Sequence, residues 1–212
     1  MVSPPNSSTF VPRSDTLKFQ RQLFEGLVVV VVYFGAARLG LSLAFLNASV
    51  SPIWPPTGVA IAAVLLLGFR IWPAILIAAF LANLFTPVSP VVAGTIAAGN
   101  TLEALLAGFV LQKFNFHSAL DRARDVFALV IAAMACSTAS ATIGTISLLL
   151  GGSTAGAELF SLWITWWLGD WVGALLVAPL FLVWSTKTSW WSRQRLLEAI
   201  LILVLLAGSA LA

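Results

Sequence analysis

The sequence predicts an all-α protein, a polytopic bundle of about seven transmembrane helices with a proline-broken second helix. Sixty per cent of the 212 residues are hydrophobic and only nine per cent are charged. Apolar runs of about twenty residues recur, which is the length that a bilayer core of about 30 Å requires. The alternating pattern of a membrane β-barrel is absent from the sequence.

The break before the second helix organises the chain. A polar cytoplasmic tail is predicted over residues 1–22 and the first helix over residues 23–46. The segment 51–58 then contains Pro52, Pro55 and Pro56. A second helix over residues 56–69 is too short to cross the core at about 1.5 Å per residue. Its N-terminus is therefore predicted below the outer membrane surface, buried in protein or beside a cavity.

The remaining helices are predicted from apolar runs between prolines, glycines and charged loops. They cover residues 73–85, 90–112, 126–150 and 158–184, and a seventh helix begins near Leu196. The seventh run is still apolar at Ala212, so the membrane domain, residues 23–212, is predicted to be incomplete at its C-terminus.

The basic residues predict the orientation. With the N-terminus in the cytoplasm, every Lys and Arg except Arg38 falls on the cytoplasmic side, as expected for an inner-membrane protein. These residues are Arg13, Lys18, Arg21, Arg70, Lys113, Arg122, Arg124, Lys187, Arg193 and Arg195. Because the basic residues are spread over membrane-flanking loops, nucleic acid is not predicted as a partner.

Catalytic chemistry has little support in the sequence. The single Cys136 excludes an internal disulfide, and the single His117, in a polar loop, excludes paired-histidine haem and HExxH zinc sites. No G-x-S-x-G or Walker motif is present. The run 168–170 is similar to an intramembrane aspartyl protease motif, but Trp167 occupies the position at which that motif requires a glycine. We predict no enzyme, no catalytic residue, no metal and no cofactor.

Polar side chains within apolar helices mark a candidate site. A charge near mid-membrane is unfavourable, so such a residue usually has a partner or a task. Asn100 and Glu103 lie one turn apart on one helix face. We predict that they converge with the proline break on a ligand site facing the periplasm. Its residues are Arg38, Trp54, Thr57, Asn83, Asn100, Glu103, Trp166, Trp167 and Asp170.

The composition of this site predicts the kind of ligand. Arg38 and the first N–H groups of the second helix supply positive charge, whereas Glu103 and Asp170 supply acceptors. A small polar ligand with both a negative and a positive or donor group fits better than a simple anion. The structural alternative stays open: Arg38 is expected near Glu103 or Asp170 and could form a buried ion pair, while the tryptophans could form an interfacial belt.

Four blocks of sequence follow one another along the chain: Ala37-Arg-Leu-Gly-Leu41, Ser51-Pro-Ile-Trp-Pro-Pro-Thr-Gly-Val-Ala60, Gly99-Asn-Thr-Leu-Glu-Ala104, and Trp166-Trp-Leu-Gly-Asp170 with Gly173 and Ala178-Pro179. Together they resemble the MASE1 family of bacterial integral-membrane sensor domains. The resemblance covers roughly residues 33–184. It implies about eight transmembrane helices feeding a cytoplasmic output module, commonly a diguanylate cyclase, phosphodiesterase or histidine kinase.

We therefore predict a bacterial inner-membrane sensor, embedded in the lipid bilayer, that binds a small ligand from the periplasm and signals to a cytoplasmic module in cis or in trans. Its oligomeric state, a homodimer included, stays open. The alternative is a small-molecule transporter or its accessory subunit, which would also use a broken helix and buried charges. A transporter needs access from both faces, whereas these polar residues stop near mid-membrane.

Overall fold

A computed structural model describes residues 13–42 and 50–186, with side chains described over 16–42 and 50–185. This part of the chain forms six α-helices: α1 (Arg13–Ser42), α2 (Pro55–Leu67), α3 (Trp72–Leu84), α4 (Pro90–Lys113), α5 (Ala123–Leu150) and α6 (Leu159–Thr186). The all-helical prediction is confirmed. The predicted seventh helix, from Leu196, lies outside the described residues.

Four helices are long and apolar enough to cross a membrane: α1 from Thr16, α4, α5, and α6 with the short turn before it. The other two, α2 and α3, have 13 residues each, so each reaches about 20 Å and falls short of a bilayer core of about 30 Å. Gly68, at φ +85°, turns the chain between them. A glycine suits this position because a side chain disfavours positive φ.

The short helix α2 forms the centre of the bundle. It packs against α1, α4 and α6. Its residues from Pro56 to Val64 are all buried, without an exposed stripe. A helix that is apolar all round is expected to be enclosed on every side. The position of α2 therefore sets the depth of any site beside it. We call the end of the bundle toward which Pro55 points the predicted periplasmic end, and the end toward which Leu67 points the predicted cytoplasmic end.

The first helix begins earlier than the sequence suggested. It starts at Arg13, not at Leu23, so residues 13–22 of the predicted polar tail are helical. The guanidinium of Arg21 donates to Glu25 at 2.8 Å, one helical turn later, and Arg70 donates to the same carboxylate at 2.8 Å. Such i,i+4 pairing supports a polar helical extension, and Arg70 ties it to the α2–α3 turn.

Helices α5 and α6 are joined by indole groups. The Nε1 atoms of Trp167 and Trp171 donate to backbone carbonyls of α5, those of Met134 and Val130, at 2.8 and 3.2 Å. The rings of Trp163 and Trp167 stack with centroids 6.0 Å apart. These tryptophans thus hold α6 against α5. Their contacts are those of a helix interface, not of an interfacial belt.

Candidate functional site

The segment before α2 enters the bundle at mid-depth. The backbone N–H of Trp54 donates to the carbonyl of Gly169 at 2.9 Å. Gly169 lies ten residues after Leu159, where α6 begins, so the segment sits about 15 Å below that end of α6. The predicted position of the second helix start, below the membrane surface, agrees with this depth.

Glycines make room for this entry. A Cβ atom on Gly169 would collide with the carbonyl of Ser51, and one on Gly173 with the carbonyl of Trp54. On the other side, a Cβ on Gly40 of α1 would lie 2.9 Å from the Trp54 ring. The Gly169–Gly173 spacing, a common helix-packing pattern, here receives a non-helical segment instead of a second helix.

One polar layer links four helices. The amide of Asn100 on α4 donates to the Tyr33 hydroxyl of α1 at 3.3 Å, and its Oδ1 accepts from Ser140 of α5 at 2.8 Å. Trp166 of α6 in turn donates to the Ser140 hydroxyl at 3.2 Å. All four side chains are buried. Asn100 therefore has partners on both its amide atoms and holds α1, α4 and α5 in register.

The two acids form a second layer, one helical turn closer to the predicted cytoplasmic end. Glu103 Oε1 accepts from Ser137 at 2.6 Å, and Asp170 Oδ1 accepts from Thr57 at 2.9 Å. Glu103 and Asp170 are 1% and 0% exposed, and their carboxyl groups are close enough to interact with each other. Ser140 lies near both acids and connects the two layers.

A small cavity lies above these layers, toward the α3–α4 turn. Its volume is about 10 Å³, close to the least that holds one water molecule. It is lined by Val50, Ser51, Trp54, Asn83, Ile96, Asn100 and Trp166. The indole N–H of Trp54 is buried near the Tyr33 hydroxyl without reaching hydrogen-bond geometry. The cavity thus has a few polar groups, from Ser51, Asn83 and Asn100, in a largely apolar lining, and little room.

The structure brings most of the predicted site residues together. Trp54, Asn83, Asn100 and Trp166 line the cavity, while Thr57, Glu103 and Asp170 lie beneath it. Asn83 also donates to the carbonyl of Ala79 in its own helix, at 2.9 Å. Trp167 packs against the apolar cluster around Trp166 but does not line the cavity, and its indole bonds to the backbone of α5.

Arg38 is the residue that sequence reasoning placed wrongly. Its side chain is exposed, and its guanidinium lies over the Phe85 ring, 5.9 Å from the centroid. Among the described residues it makes no ion pair with Glu103 or Asp170, because its side chain is exposed on the outside of the bundle whereas both acids are buried. The expected pairing is therefore wrong, and Arg38 instead borders a groove with Phe85, Thr86 and Pro87.

The start of α2 also differs from the prediction, in which the first backbone N–H groups of this helix are free to bind a ligand. Pro55 and Pro56 have no N–H group, and the N–H of Thr57 already donates to the Trp54 carbonyl at 3.2 Å. The positive end of the helix dipole remains, and the Asp170 carboxylate lies beside it, since it accepts from the Thr57 hydroxyl.

Sequence reasoning missed three members of the site: Tyr33, Ser137 and Ser140. The serines lay among alanines and glycines on α5 and were interpreted as a small packing face. Tyr33 is the only tyrosine of the chain and lies within an apolar run. A lone hydroxyl-bearing aromatic in such a run is a signal that could have been used, because its hydroxyl needs a partner when buried.

The fold and the site define a multi-pass helical membrane protein with a buried polar site at a broken helix. The family model MASE1 matches residues 25–212, and the chain belongs to this family of membrane-associated sensory domains. The resemblance seen in the four sequence blocks is thus confirmed. Comparison with characterised proteins and with solved structures gave no significant match.

Proposed function

We propose that the chain is a bacterial inner-membrane sensor that binds a small polar ligand in a pocket facing the periplasm. The observation that carries the proposal is the bond from Thr57, in the first turn of α2, to Asp170 in the middle of α6, beneath a cavity that Asn83 and Asn100 help to line. Non-helical backbone at this depth is typical of binding sites in membrane proteins. Because the cavity holds about one water molecule, a larger ligand needs the segment 50–54 to move.

We also propose that this movement reaches a cytoplasmic output module, a cyclase, phosphodiesterase or histidine kinase, in cis or in trans. A ligand shifts an equilibrium only by its different affinity for the two states. A cavity that must enlarge to admit a ligand supplies such a difference. The cytoplasmic N-terminus and the complement of about seven helices belong to the same proposal.

The packing beneath the acids favours a sensor over a transporter. A transporter needs a route from its site to the other face. In the described part of the bundle, Gly58 of α2 lies so close to α6 that an added Cβ would come within 2.7 Å of Gly173, Val177 and Ala178. This contact closes the space between α2 and α6 on the predicted cytoplasmic side.

A chimera tests the proposal. Residues 25–212 would replace the matching region of a complete MASE1-containing diguanylate cyclase, and cyclic-di-GMP would be measured in cells given a panel of amines, amino acids and sugars. We expect some compound to change the output severalfold and Asn100→Ala to abolish the response. Thr95→Val is the control, because Thr95 bonds only to carbonyls of its own helix. An output that neither the panel nor Asn100→Ala changes, at normal membrane levels, contradicts the proposal.

A further inference from the structure

We propose that Glu103 and Asp170 form a cation site, which takes a proton or an alkali-metal ion. The inference rests on the proposed function and deepens it, because it names the class of ligand that the innermost part of the site recognises.

The first argument is the balance of charge. Both carboxyl groups are buried, and neither forms an ion pair with a lysine, arginine or histidine of the described residues. Arg21 and Arg70 both pair with Glu25, at the predicted cytoplasmic end. A buried carboxylate without a positive partner is strongly unfavourable. With Arg38 exposed, a positive charge for these acids has to come from outside the chain's described side chains.

The second argument comes from two oxygen atoms. Glu103 Oε2 and Asp170 Oδ2 are buried and have no hydrogen-bond partner within the described residues. Buried polar atoms nearly always have one. The two carboxyl groups are close enough to interact with each other, and a proton or a cation between them would remove the repulsion of two carboxylates. A single positive charge satisfies both atoms.

The third argument concerns the hydroxyl of Ser137. It lies 2.6 Å from Glu103 Oε1 and 2.8 Å from the Ala133 carbonyl, so one proton faces two acceptors. A positive charge at the other oxygen, Glu103 Oε2, weakens Oε1 as an acceptor, so the Ser137 hydroxyl can donate to Ala133 without a strong competitor. For an alkali ion, the surrounding groups are equally suitable, since carboxylate and hydroxyl oxygens are the ligands of hard cations.

The two acids contribute unequally. Asp170, a residue of α6, lies beside the N-terminal end of α2 and accepts from Thr57, so the dipole of α2 partly balances its charge. Glu103 lies within α4, far from either end of its helix, and has no such support. The other titratable groups that face the pair are Tyr33 of α1 and Cys136 of α5, both neutral when protonated. The bound charge therefore belongs chiefly to Glu103.

Thermal unfolding of the full chain in lipid nanodiscs tests the site. Tryptophan fluorescence would give Tm across a pH series in choline chloride, and in sodium chloride against choline chloride at fixed pH. We expect one of the two series to change Tm by about 3 °C or more. The change should disappear in Glu103→Gln, whose amide mimics a protonated carboxyl, and persist in Asp125→Asn, which alters a buried acid at the start of α5.

The two series separate the two sources of charge. A pH-dependent Tm that sodium leaves unchanged identifies a proton site, and a sodium-dependent Tm identifies an alkali-ion site. A wild-type Tm that is constant in both series, or a dependence that Glu103→Gln retains in full, overturns the proposal.

A second measurement needs no variant, in case Glu103→Gln fails to fold. Dicyclohexylcarbodiimide reacts with protonated carboxyl groups in apolar surroundings, and mass spectrometry locates the adduct. Labelling of Glu103 or Asp170 that rises on acidification, or that sodium prevents, supports the site; labelling of neither acid under any condition overturns it. Loss of the cation site with a retained response in the chimera removes this inference alone, whereas cation binding without any response in the chimera removes the sensor proposal.

Discussion

At the scale of single residues, short polar side chains fix the depth of the site. Asn100 uses both amide atoms, one toward Tyr33 and one toward Ser140, and Trp166 completes the chain of bonds. Removing one member leaves its buried partner without a hydrogen bond, which costs more than the bond itself contributes. The layer is therefore either complete or unstable, and it specifies one register for the helices that it joins.

Thr57→Val tests the bond that anchors α2 to α6. Valine keeps the shape of threonine but leaves Asp170 Oδ1 without its donor, so we expect a loss of about 1–3 kcal/mol in the free energy of unfolding. Reversible unfolding in mixed micelles measures it. In a double-mutant cycle with Asp170→Asn, the summed losses of the two single variants should exceed the loss in free energy of unfolding of the double variant. Strict additivity would mean that the two side chains do not interact.

Gly169→Ala tests the close approach of the entering segment. The new methyl group would collide with the Ser51 carbonyl, so we expect a loss of at least about 1–3 kcal/mol, typical of overpacking. Gly35→Ala is the matched control, since nothing lies within 4 Å of its Cβ position and α1 should gain about 0.5–1 kcal/mol from it. Equal stability of the two variants would contradict the contact between segment 50–54 and α6.

At the scale of helices, α5 and α6 act as one unit because indole groups of α6 reach the backbone of α5. The carbonyls of Val130 and Met134 lie within α5 and accept the extra bonds from Trp171 and Trp167. The pair thus forms a firm wall of the site, against which α2 and the segment before it lie.

Trp167→Phe should weaken this wall. Phenylalanine keeps part of the ring stack but loses the N–H donor, so we expect a loss of about 1 kcal/mol in the free energy of unfolding. Trp184→Phe, at an exposed position of the same helix, is the control and should change stability little. If both variants unfold alike, the indole bonds to α5 contribute nothing measurable.

At the scale of the whole molecule, the hydrophobic runs and motifs of the sequence predicted the helices and most of the site residues. Which side chains pair with one another could be seen only in the structure. The prolines and the short second run predicted where α2 begins, because length and backbone bonding leave few solutions in a bilayer. The pairing of Arg38 was wrong because counting along a helix gives depth but not the direction of a side chain. Ser137 and Ser140 were missed because a serine on a small-residue face can serve either to let helices pack closely or to donate a hydrogen bond to a buried polar group, and the sequence does not distinguish the two.

The orientation of the bundle follows from its basic residues and can be measured directly. With Cys136→Ala as background, Ala155→Cys in the α5–α6 turn should react with an impermeant maleimide added to intact cells, because that turn is predicted to be periplasmic. Asp121→Cys, exposed in the α4–α5 loop, should react only after the membrane is opened. The reverse pattern would invert the topology and move the cavity to the cytoplasmic side.

The last prediction concerns how the site reaches the predicted cytoplasmic end. Helix α2 connects the two, since Thr57 bonds to Asp170 while Ala62 packs with Ala178 and Leu182 of α6, against Leu120 of the α4–α5 loop. In the chimera, Leu120→Ala should therefore change basal cyclic-di-GMP output severalfold, because it loosens the contact through which α2 meets that end. The control Leu150→Ala removes an 81% exposed leucine at the opposite end of α5 and should have no effect. Unchanged output in Leu120→Ala, with membrane levels equal to wild type, would show that α2 does not transmit the signal through this loop.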